Sequence, residues 1–320
     1  MLGGTRFIGR ALVSEFVEAG HEILVVHRGR HEPEEFPEVQ HLHTDRRELD
    51  RHRDSLASFA PDAVADLSAM TEDDANRALG VFRQVRAVVA SSIDVYRAFS
   101  SVWNGSMTDA VPLTEESELR SGPPPDAAVP DGWDFDAASY EKIEVERAYL
   151  RHGAVVCRLP MVYGEHDYKR RESFVLDRLR AGRTRIPIAS GNWLWSRGYA
   201  TEIARGIRLA LESDESGELF NLAEESCAPI ALWMKTIAAA ADATVELVRV
   251  PDEQLPEDLQ IAGSIPQHWL VDSSKARERL GWIHADPEGC VHRSVRWHLS
   301  HAPVTETRDF SEDDRALDGL

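Results

Sequence analysis

Three glycines near the beginning of the chain stand where a phosphate-binding turn would meet a helix. The chain opens "MLGGTRFIG", so Gly3, Gly4 and Gly9 flank the start of the stretch "RFIGRALVSEFVEAG". Apolar residues in that stretch recur at helical spacing, and Gly20 follows as a C-cap. Glycines let a backbone turn tightly against a diphosphate, and a helix N-terminus facing the turn favours negative charge. The pattern therefore predicts a seat for the phosphates of a dinucleotide.

Short apolar runs follow this helix and alternate with helical patterns. The runs "HEILVVHRG", "DAVADLSAM", "RAVVASSIDVY" and "GAVVCRLPMVYG" each indicate a buried parallel strand. Strands that alternate with helices predict the α/β class, here a doubly wound parallel (Rossmann) sheet with right-handed crossovers. We predict a dinucleotide-binding domain over residues 1–164 and a smaller substrate-binding lobe, with segments returning to the core, over residues 165–301. The polar residues 302–320 are predicted to form a disordered acidic tail.

Composition and charge exclude several classes of function. A formal charge of −19 argues against a nucleic-acid partner, because phosphate binding needs a basic face. The sequence has no apolar run long enough for a membrane span and no secretory signal, so we expect a cytoplasmic protein. The three cysteines are far apart and lack CxxC spacing, so we expect no disulfide framework and no metal site.

The motifs resemble those of a known family. "GGTRFIG" resembles the glycine fingerprint of extended short-chain dehydrogenases/reductases, the NAD-dependent epimerase/dehydratase group, with Arg6 at the middle glycine as in its atypical members. "HTDRREL", "DLSAM", "VVASSIDVY" and "CRLPMVYG" resemble later segments of the same family, over roughly residues 1–300. The resemblance implies coenzyme contacts at Gly3, Thr5, Arg6, Phe7, Ile8, Gly9, Arg28, Asp45, Leu67, Ser68, Lys142 and Pro160.

The end of the second strand bears on the choice of coenzyme. NAD-specific relatives carry an acid there for the ribose hydroxyls, whereas this chain reads "VVHRGR". With His27 in place of the acid, and Arg6, Arg28 and Arg30 nearby, a 2′-phosphate would be favoured. We therefore expect NADP or NAD, with NADP preferred. The alternative is that these arginines form a solvated surface.

The resemblance also implies catalytic residues, and here the sequence departs from the family. Ser92 lies at the end of its strand, where the family serine hydrogen-bonds the substrate oxygen. The family then needs Y-x-x-x-K, whereas "AASYEKIEVERAYL" places Tyr140 and Lys142 only two residues apart. If Lys142 is the family lysine, the tyrosine position is Ala138; if Tyr140 is the family tyrosine, the lysine position is Glu144.

We prefer the first register. Only four of the 36 cationic residues are lysines, so a lysine at position 142 suggests a chemical need for an ammonium group. Tyr140 would then reach the site only if the helix starts near it. We expect Lys142 to anchor the nicotinamide ribose and Tyr140 to act as the base.

The later half of the chain carries one predicted substrate contact. "WSRGYATEIARGIRLALE" resembles the Arg-x-Tyr segment of the family, in which Arg197 would bind a nucleotide-sugar diphosphate. The resemblance implies a small-molecule substrate, a nucleotide-sugar or a related carbonyl compound, and a homodimer as the usual assembly.

Only Met1 and Leu2 precede the glycine turn, although the family has a central strand there. Losing about three buried aliphatic residues would forfeit roughly 5–9 kcal/mol, which is comparable to the whole stability of a domain. The sequence therefore predicts a truncated first strand, and we expect the natural protein to start several residues upstream.

Two functions remain open from the sequence. The first is an NAD(P)-dependent epimerase, dehydratase or reductase. The second is a non-catalytic NAD(P)-binding sensor or scaffold, because the Tyr/Lys spacing is broken. The plant chloroplast stem-loop RNA-binding relatives share the "GGTRFIG" type of turn, but the chain's charge makes an RNA-binding variant the weakest alternative.

Overall fold

A computed structural model describes residues 1–31, 36, 39–122, 139–302 and 308–318. Within them the strands are β1 (Leu24–His27), β2 (Gln40–His43), β3 (Ala63–Asp66), β4 (Arg86–Ser92), β5 (Val155–Leu159), β6 (Met161–Tyr163), β7 (Arg185–Ile188), β8 (Arg197–Tyr199), β9 (Leu219–Asn221) and β10 (Glu246–Arg249). The α-helices are α1 (Ile8–Glu18), α2 (Arg53–Phe59), α3 (Glu72–Val81), α4 (Arg97–Trp103), α5 (Lys142–Arg151), α6 (Ser173–Arg180), α7 (Ala200–Glu212), α8 (Ile230–Ala240), α9 (Ser274–Leu280), α10 (Pro287–Ser300) and α11 (Ser311–Asp318).

The main sheet is parallel throughout, as the sequence predicts. Strands β3, β4, β5 and β9 are hydrogen-bonded in that order, and β1 pairs with β2. Leu2 joins the two parts, because it bridges Val26 of β1 on one side and Asp66 of β3 on the other. The order across the sheet is thus β2, β1, Leu2, β3, β4, β5, β9. The place between β1 and β3 is held by the single residue Leu2. The predicted doubly wound α/β class is confirmed.

A cavity lies between β1 and β3, beside Leu2. It has a volume of about 420 Å³, and Met1, Leu24 and Ala63 are among the residues that line it. The α-ammonium of Met1 donates to the carbonyl of Leu24 at 2.7 Å. Burial lowers the pKa of this ammonium to about 6. Met1 and Leu2 thus form part of the wall of this cavity.

Helices cover both faces of the main sheet. On one face α1 packs against α7, and the buried side chains of α1, among them Leu12, Val13 and Phe16, follow the helical period. On the other face α3 packs against α5, with Leu79 and Tyr149 buried. This arrangement fixes the carboxyl edge of the strands, where ligands bind in such sheets.

A second apolar core is built from the later part of the chain. It joins α6, α8 and α10 around buried aromatic side chains, including Phe174, Trp193 and Trp233. Strand β7 pairs with β10, while β6 pairs with β8 beside the main sheet. Helix α7 packs on a face of the main sheet, and strand β9 pairs with β5 within it. None of the helices in the described parts of the chain combines the length and apolarity needed to cross a bilayer.

The prediction of a disordered tail over residues 302–320 is wrong for residues 308–318. Helix α11 is folded there, and its Asp313 and Ala316 are buried. Asp313 pairs with the buried guanidinium of Arg178 on α6, with both oxygen–nitrogen distances 2.7 Å. One acid of the tail therefore neutralises this arginine. Residues 303–307 and 319–320 lie outside the described chain.

Candidate functional site

The glycine turn leads from Leu2 into the N-terminus of α1. Gly3 and Gly4 have φ values of +79° and +151°, and Phe7 at the N-cap position has φ +43°. A positive φ is costly for a phenylalanine, and such strain is most often found at binding and active sites. No side chain caps α1, and its first turn contains no acid. The turn therefore presents a helix N-terminus whose polarity suits a phosphate.

Close packing explains why the turn needs glycine. A Cβ on Gly9 would lie 2.6 Å from the Cα of Gly4, and a Cβ on Gly4 would lie 2.9 Å from the side chain of Val25. A Cβ on Gly3 would lie 3.5 Å from Ser68, at the end of β3. Two predicted contact regions, the turn and the segment containing Leu67 and Ser68, are thus adjacent.

Arg6 is exposed at the turn. Its guanidinium carbon lies 4.3 Å from the ring centroid of Tyr168, and Phe7 makes an edge contact with the same ring. Thr5 and Ile8 are partly buried beside it. A stacked guanidinium keeps its hydrogen-bonding edge open, so this position is compatible with a phosphate contact.

The end of β1 carries a histidine where NAD-specific relatives are expected to carry an acid. His27 is buried and is followed by the exposed Arg28. Asp45, predicted to contact adenine, caps the 3₁₀ helix Arg46–His52 and accepts hydrogen bonds from the main chain and side chain of Arg47. The hydrogen bond from Arg47 lowers the pKa of Asp45 to about 2.

A buried network holds the segment after β3. Arg46 forms a two-pronged ion pair with Asp66, at 3.0 and 2.9 Å, and donates to Ser68 Oγ at 2.7 Å. The hydroxyl of Tyr149 on α5 donates to the same carboxylate at 2.6 Å. Although burial opposes it, the charge of Arg46 keeps the pKa of Asp66 below its usual value. The network orients Leu67 and Ser68 beside the glycine turn.

Ser92 and Tyr140 both contact Asp94, which lies just after β4. The hydroxyl oxygen of Ser92 accepts from the amide of Asp94 at 3.2 Å, and the Tyr140 hydroxyl donates to Asp94 Oδ2 at 2.6 Å. Burial raises the pKa of Asp94 and, together with the Asp94 charge, raises the pKa of Tyr140 well above 10. In the described chain Asp94 Oδ1 is buried without a hydrogen-bond partner.

Lys142 is buried at the carboxyl ends of β3 and β4. Its Nζ donates to the carbonyl oxygens of Ala69 at 2.6 Å and Ala90 at 3.0 Å. Burial lowers the pKa of the ammonium to about 8, which the charges of Asp66 and Asp94 partly oppose. The ammonium therefore lies between the segment that ends β3 and the strand that ends at Ser92.

Helix α5 begins at Lys142, and this explains how Tyr140 reaches the same region. Glu141 is the N-cap residue in extended backbone, with φ −152° and ψ 90°, so Tyr140 precedes the helix. Residues two apart would diverge on a helix, but here both side chains approach the end of β4. Ala138, the tyrosine position in the preferred register, lies outside the described residues. The i, i+4 pair of the family is not restored.

Arg197, the predicted substrate contact, is buried in the second core. Its Nη2 donates to the carbonyl of Ala228 at 2.7 Å, and its guanidinium stacks on Trp233. Only 2% of the residue is exposed, and in the described chain Arg197 Nη1 is buried without a hydrogen-bond partner. Pro160 is buried between β5 and β6 and packs near Gly198.

Asp66 and Asp94 belong to this site but were not among its predicted residues. Each is a lone acid at or just beyond the end of a buried strand, in "DAVADLS" and "SSIDVY". That position was the available signal, since a carboxylate is placed there only when it has a partner or a task. Their partners, Arg46 and Tyr140, lie in distant segments, and no pattern in the sequence indicates these pairings.

Residues 1–223 match the sequence model of the NAD dependent epimerase/dehydratase family. Among curated proteins, chloroplast stem-loop binding protein of 41 kDa b from Arabidopsis thaliana is 25% identical over 340 residues, covering 99% of this chain and 83% of that protein.

Solved structures share the fold. A dTDP-glucose 4,6-dehydratase from Bacillus anthracis str. Ames, in complex with NAD, has a TM-score of 0.71 at 14% identity, with 94% of this chain and 96% of that chain covered. A UDP-glucose 4-epimerase from Thermotoga maritima, with UDP-glucose, has a TM-score of 0.69 at 17% identity, with 94% and 98% covered. These likenesses establish the architecture.

Proposed function

From the premise that this chain belongs to the NAD dependent epimerase/dehydratase family, we propose that it binds a nicotinamide dinucleotide and acts on a nucleotide-sugar or a related small carbonyl compound by hydride transfer. The observation that carries the proposal is the position of Lys142. Its ammonium joins the carboxyl ends of β3 and β4 through Ala69 and Ala90.

The residues of the turn fit a dinucleotide. The helix N-terminus at Ile8 has no side-chain cap, and the glycines leave room that a Cβ would occupy. Backbone amides and the exposed Arg6 would hold the diphosphate, and Leu67 and Ser68 would lie under the coenzyme. When bound, the coenzyme supplies a carbon that accepts or returns a hydride.

The chain itself supplies a path for the proton. Ser92 holds the substrate oxygen, and the proton of that oxygen passes to the Tyr140 oxygen as Tyr140 passes its own proton to Asp94 Oδ2. The raised pKa of Asp94 makes this carboxylate a stronger base than an ordinary surface acid. Tyr140 thus acts as a relay, with Asp94 as the final acceptor. Lys142 holds the nicotinamide ribose.

NADP is the coenzyme that the end of β1 favours. His27 replaces an acid that would repel a 2′-phosphate, and Arg28 is exposed beside it. The proposed compartment remains the cytoplasm, and the proposed assembly remains a homodimer; both rest on the sequence alone.

Calorimetric titration with NAD⁺, NADH, NADP⁺ and NADPH tests the binding step. Turnover is then measured by absorbance at 340 nm across a panel of nucleotide-sugars. The Ser92→Ala variant is the control that lacks the hydroxyl proposed to hold the substrate oxygen. Lys142→Met should weaken coenzyme binding at least tenfold, whereas Lys235→Met, at an exposed position on α8, should leave it unchanged. If no coenzyme binds at millimolar concentration, the proposal is wrong.

The second candidate is a non-catalytic NAD(P)-binding protein. The observation that favours it is the high pKa of Tyr140, which opposes formation of the phenolate that the family chemistry uses. Tight coenzyme binding with no turnover on any panel member would favour this candidate. The RNA-binding variant stays the weakest, because the chain carries a formal charge of −19.

A further inference from the structure

Three histidines share one face of the β1–β2 pair. His41 and His43 are two residues apart on β2, so their side chains leave the same face of the strand. His27 is the parallel-ladder partner of His43 and therefore projects on that face as well. The pairing of the two strands is what brings the three imidazoles together.

The three rings present nitrogen atoms to a common point. One ring nitrogen from each histidine lies within 4.8 Å of the other two. His27 Nε2 and His41 Nδ1 are 2.8 Å apart, and the ring centroids of His27 and His43 are 4.8 Å apart. In a tetrahedral zinc site with bonds of about 2.0–2.1 Å, ligand nitrogens are separated by roughly 3.3 Å. Small side-chain rotations would reach that geometry.

The cluster is open to solvent on one side. His27 is buried, His41 is half-buried and His43 is exposed, so an ion can enter past His43. Neutral imidazole is a good ligand for zinc and for other late first-row divalent metals. Three protein ligands leave a fourth position for water.

Binding of a metal would displace the proton that His27 and His41 share. The amide of Gly29 donates to His27 Nδ1 at 3.2 Å, so a neutral His27 carries its proton on Nε2 and donates it to His41 Nδ1. A metal bound by both nitrogens takes the place of this proton. The proton of His27 then moves to Nδ1, and the hydrogen bond from Gly29 is lost. Coordination therefore leaves a mark on the amide of Gly29.

We propose that His27, His41 and His43 form a binding site for a divalent transition metal, with zinc the best match. The spacing of the cysteines predicted no metal site, and the three histidines are not close enough in sequence to form a recognisable motif. The proposal does not depend on the proposed function, since zinc binding is measured without a coenzyme.

Zinc titration of tag-free, EDTA-treated full-length protein tests the site. We expect one Zn²⁺ per chain by calorimetry, and a four-coordinate visible absorption band when Co²⁺ replaces zinc. His43→Asn and His41→Asn should each weaken zinc binding at least tenfold and remove the cobalt band. His21→Asn is the matched control, because His21 is exposed and pairs with Glu212 near the other end of β1.

Circular dichroism and thermal unfolding check that each variant is folded. The two variants change the more accessible histidines, so the test does not require replacing the buried His27. In the wild type, the amide NMR signal of Gly29 should shift on zinc addition. Zinc binding that is equal in the wild type and both variants overturns the proposal. The absence of zinc binding at 100 µM metal overturns it as well, because a dedicated zinc site has a dissociation constant far below about 10⁻⁴ M.

Discussion

The hydroxyl of Tyr140 donates a 2.6 Å hydrogen bond to Asp94 Oδ2, although 46 residues separate the two in sequence. The bond joins a residue two positions before α5 to a residue two positions after β4, at the carboxyl edge of the sheet. Although Tyr140 and Lys142 lack the family spacing, both thus lie near Asp94 at the end of β4.

Replacing Asp94 with asparagine should separate proton transfer from binding. Asp94→Asn keeps an oxygen for the Tyr140 hydroxyl but removes the basic carboxylate. We expect turnover of an active nucleotide-sugar to fall about a hundredfold, with coenzyme affinity unchanged by calorimetry. Glu116→Gln, at an exposed acid of similar size, is the control. Equal turnover in Asp94→Asn and wild type would exclude Asp94 as the acceptor.

Lys142 should make stability depend on alkaline pH. Its folded pKa of about 8 lies below the unfolded value of 10.5, so between these values the unfolded chain binds more protons and stability rises with pH. Wild type should therefore gain about 2 kcal/mol relative to Lys142→Met between pH 7.5 and 9.5. Urea unfolding at the two pH values measures this difference. A difference that stays constant would show that the ammonium is not desolvated.

Two glycine-to-alanine substitutions should change the stability of the protein in opposite directions. Gly9→Ala forces a Cβ against the backbone of Gly4 and should cost about 1–3 kcal/mol, while coenzyme binding weakens. Gly80→Ala, on α3, meets no atom within 4 Å and should stabilise the protein by about 0.5–1 kcal/mol. Chemical unfolding of both variants checks the pair. If Gly9→Ala were neutral for both stability and coenzyme binding, the close approach of turn and helix would be disproved.

The ion pair between Arg178 and Asp313 should matter more than its exposed neighbour. Both side chains of the pair are 1% exposed, so Asp313→Asn leaves a buried charge with less compensation and should cost about 3 kcal/mol. Asp314→Asn removes a carboxylate that is 58% exposed and should change stability by less than about 0.5 kcal/mol. Thermal unfolding distinguishes them. Equal effects would mean that α11 does not hold the second core.

The parts of the fold that local pattern dictates could be predicted from the sequence. Apolar runs identified the strands, and Gly3, Gly4 and Gly9 identified the turn before α1, because both signals lie within a few residues. The site was predictable only in outline. The roles of Ser92 and Lys142 were predicted from the resemblance to the family and stay predictions. The contact of Asp94 with Tyr140 depends on where α5 begins, and the extended Glu141 has no clear signature.

Long-range partners account for most of what the sequence did not reveal. Asp313 was assigned to a disordered tail because its neighbours are polar, and its partner Arg178 is 135 residues away. The three histidines meet only because β1 and β2 pair in one register, which periodicity alone does not fix. The ligand contact of Arg197 stays a prediction, and its burial against Trp233 has no signature in the sequence.

The dependence of Arg178 on Asp313 also sets an order of events during synthesis. The guanidinium on α6 leaves the ribosome 135 residues before Asp313, so until then it has only Asp258 as a carboxylate partner among the described contacts. The second core thus acquires its final neutralising carboxylate late in translation. A nascent chain stalled short of α11 should be cut readily by protease in this lobe, while the region around the glycine turn already resists digestion.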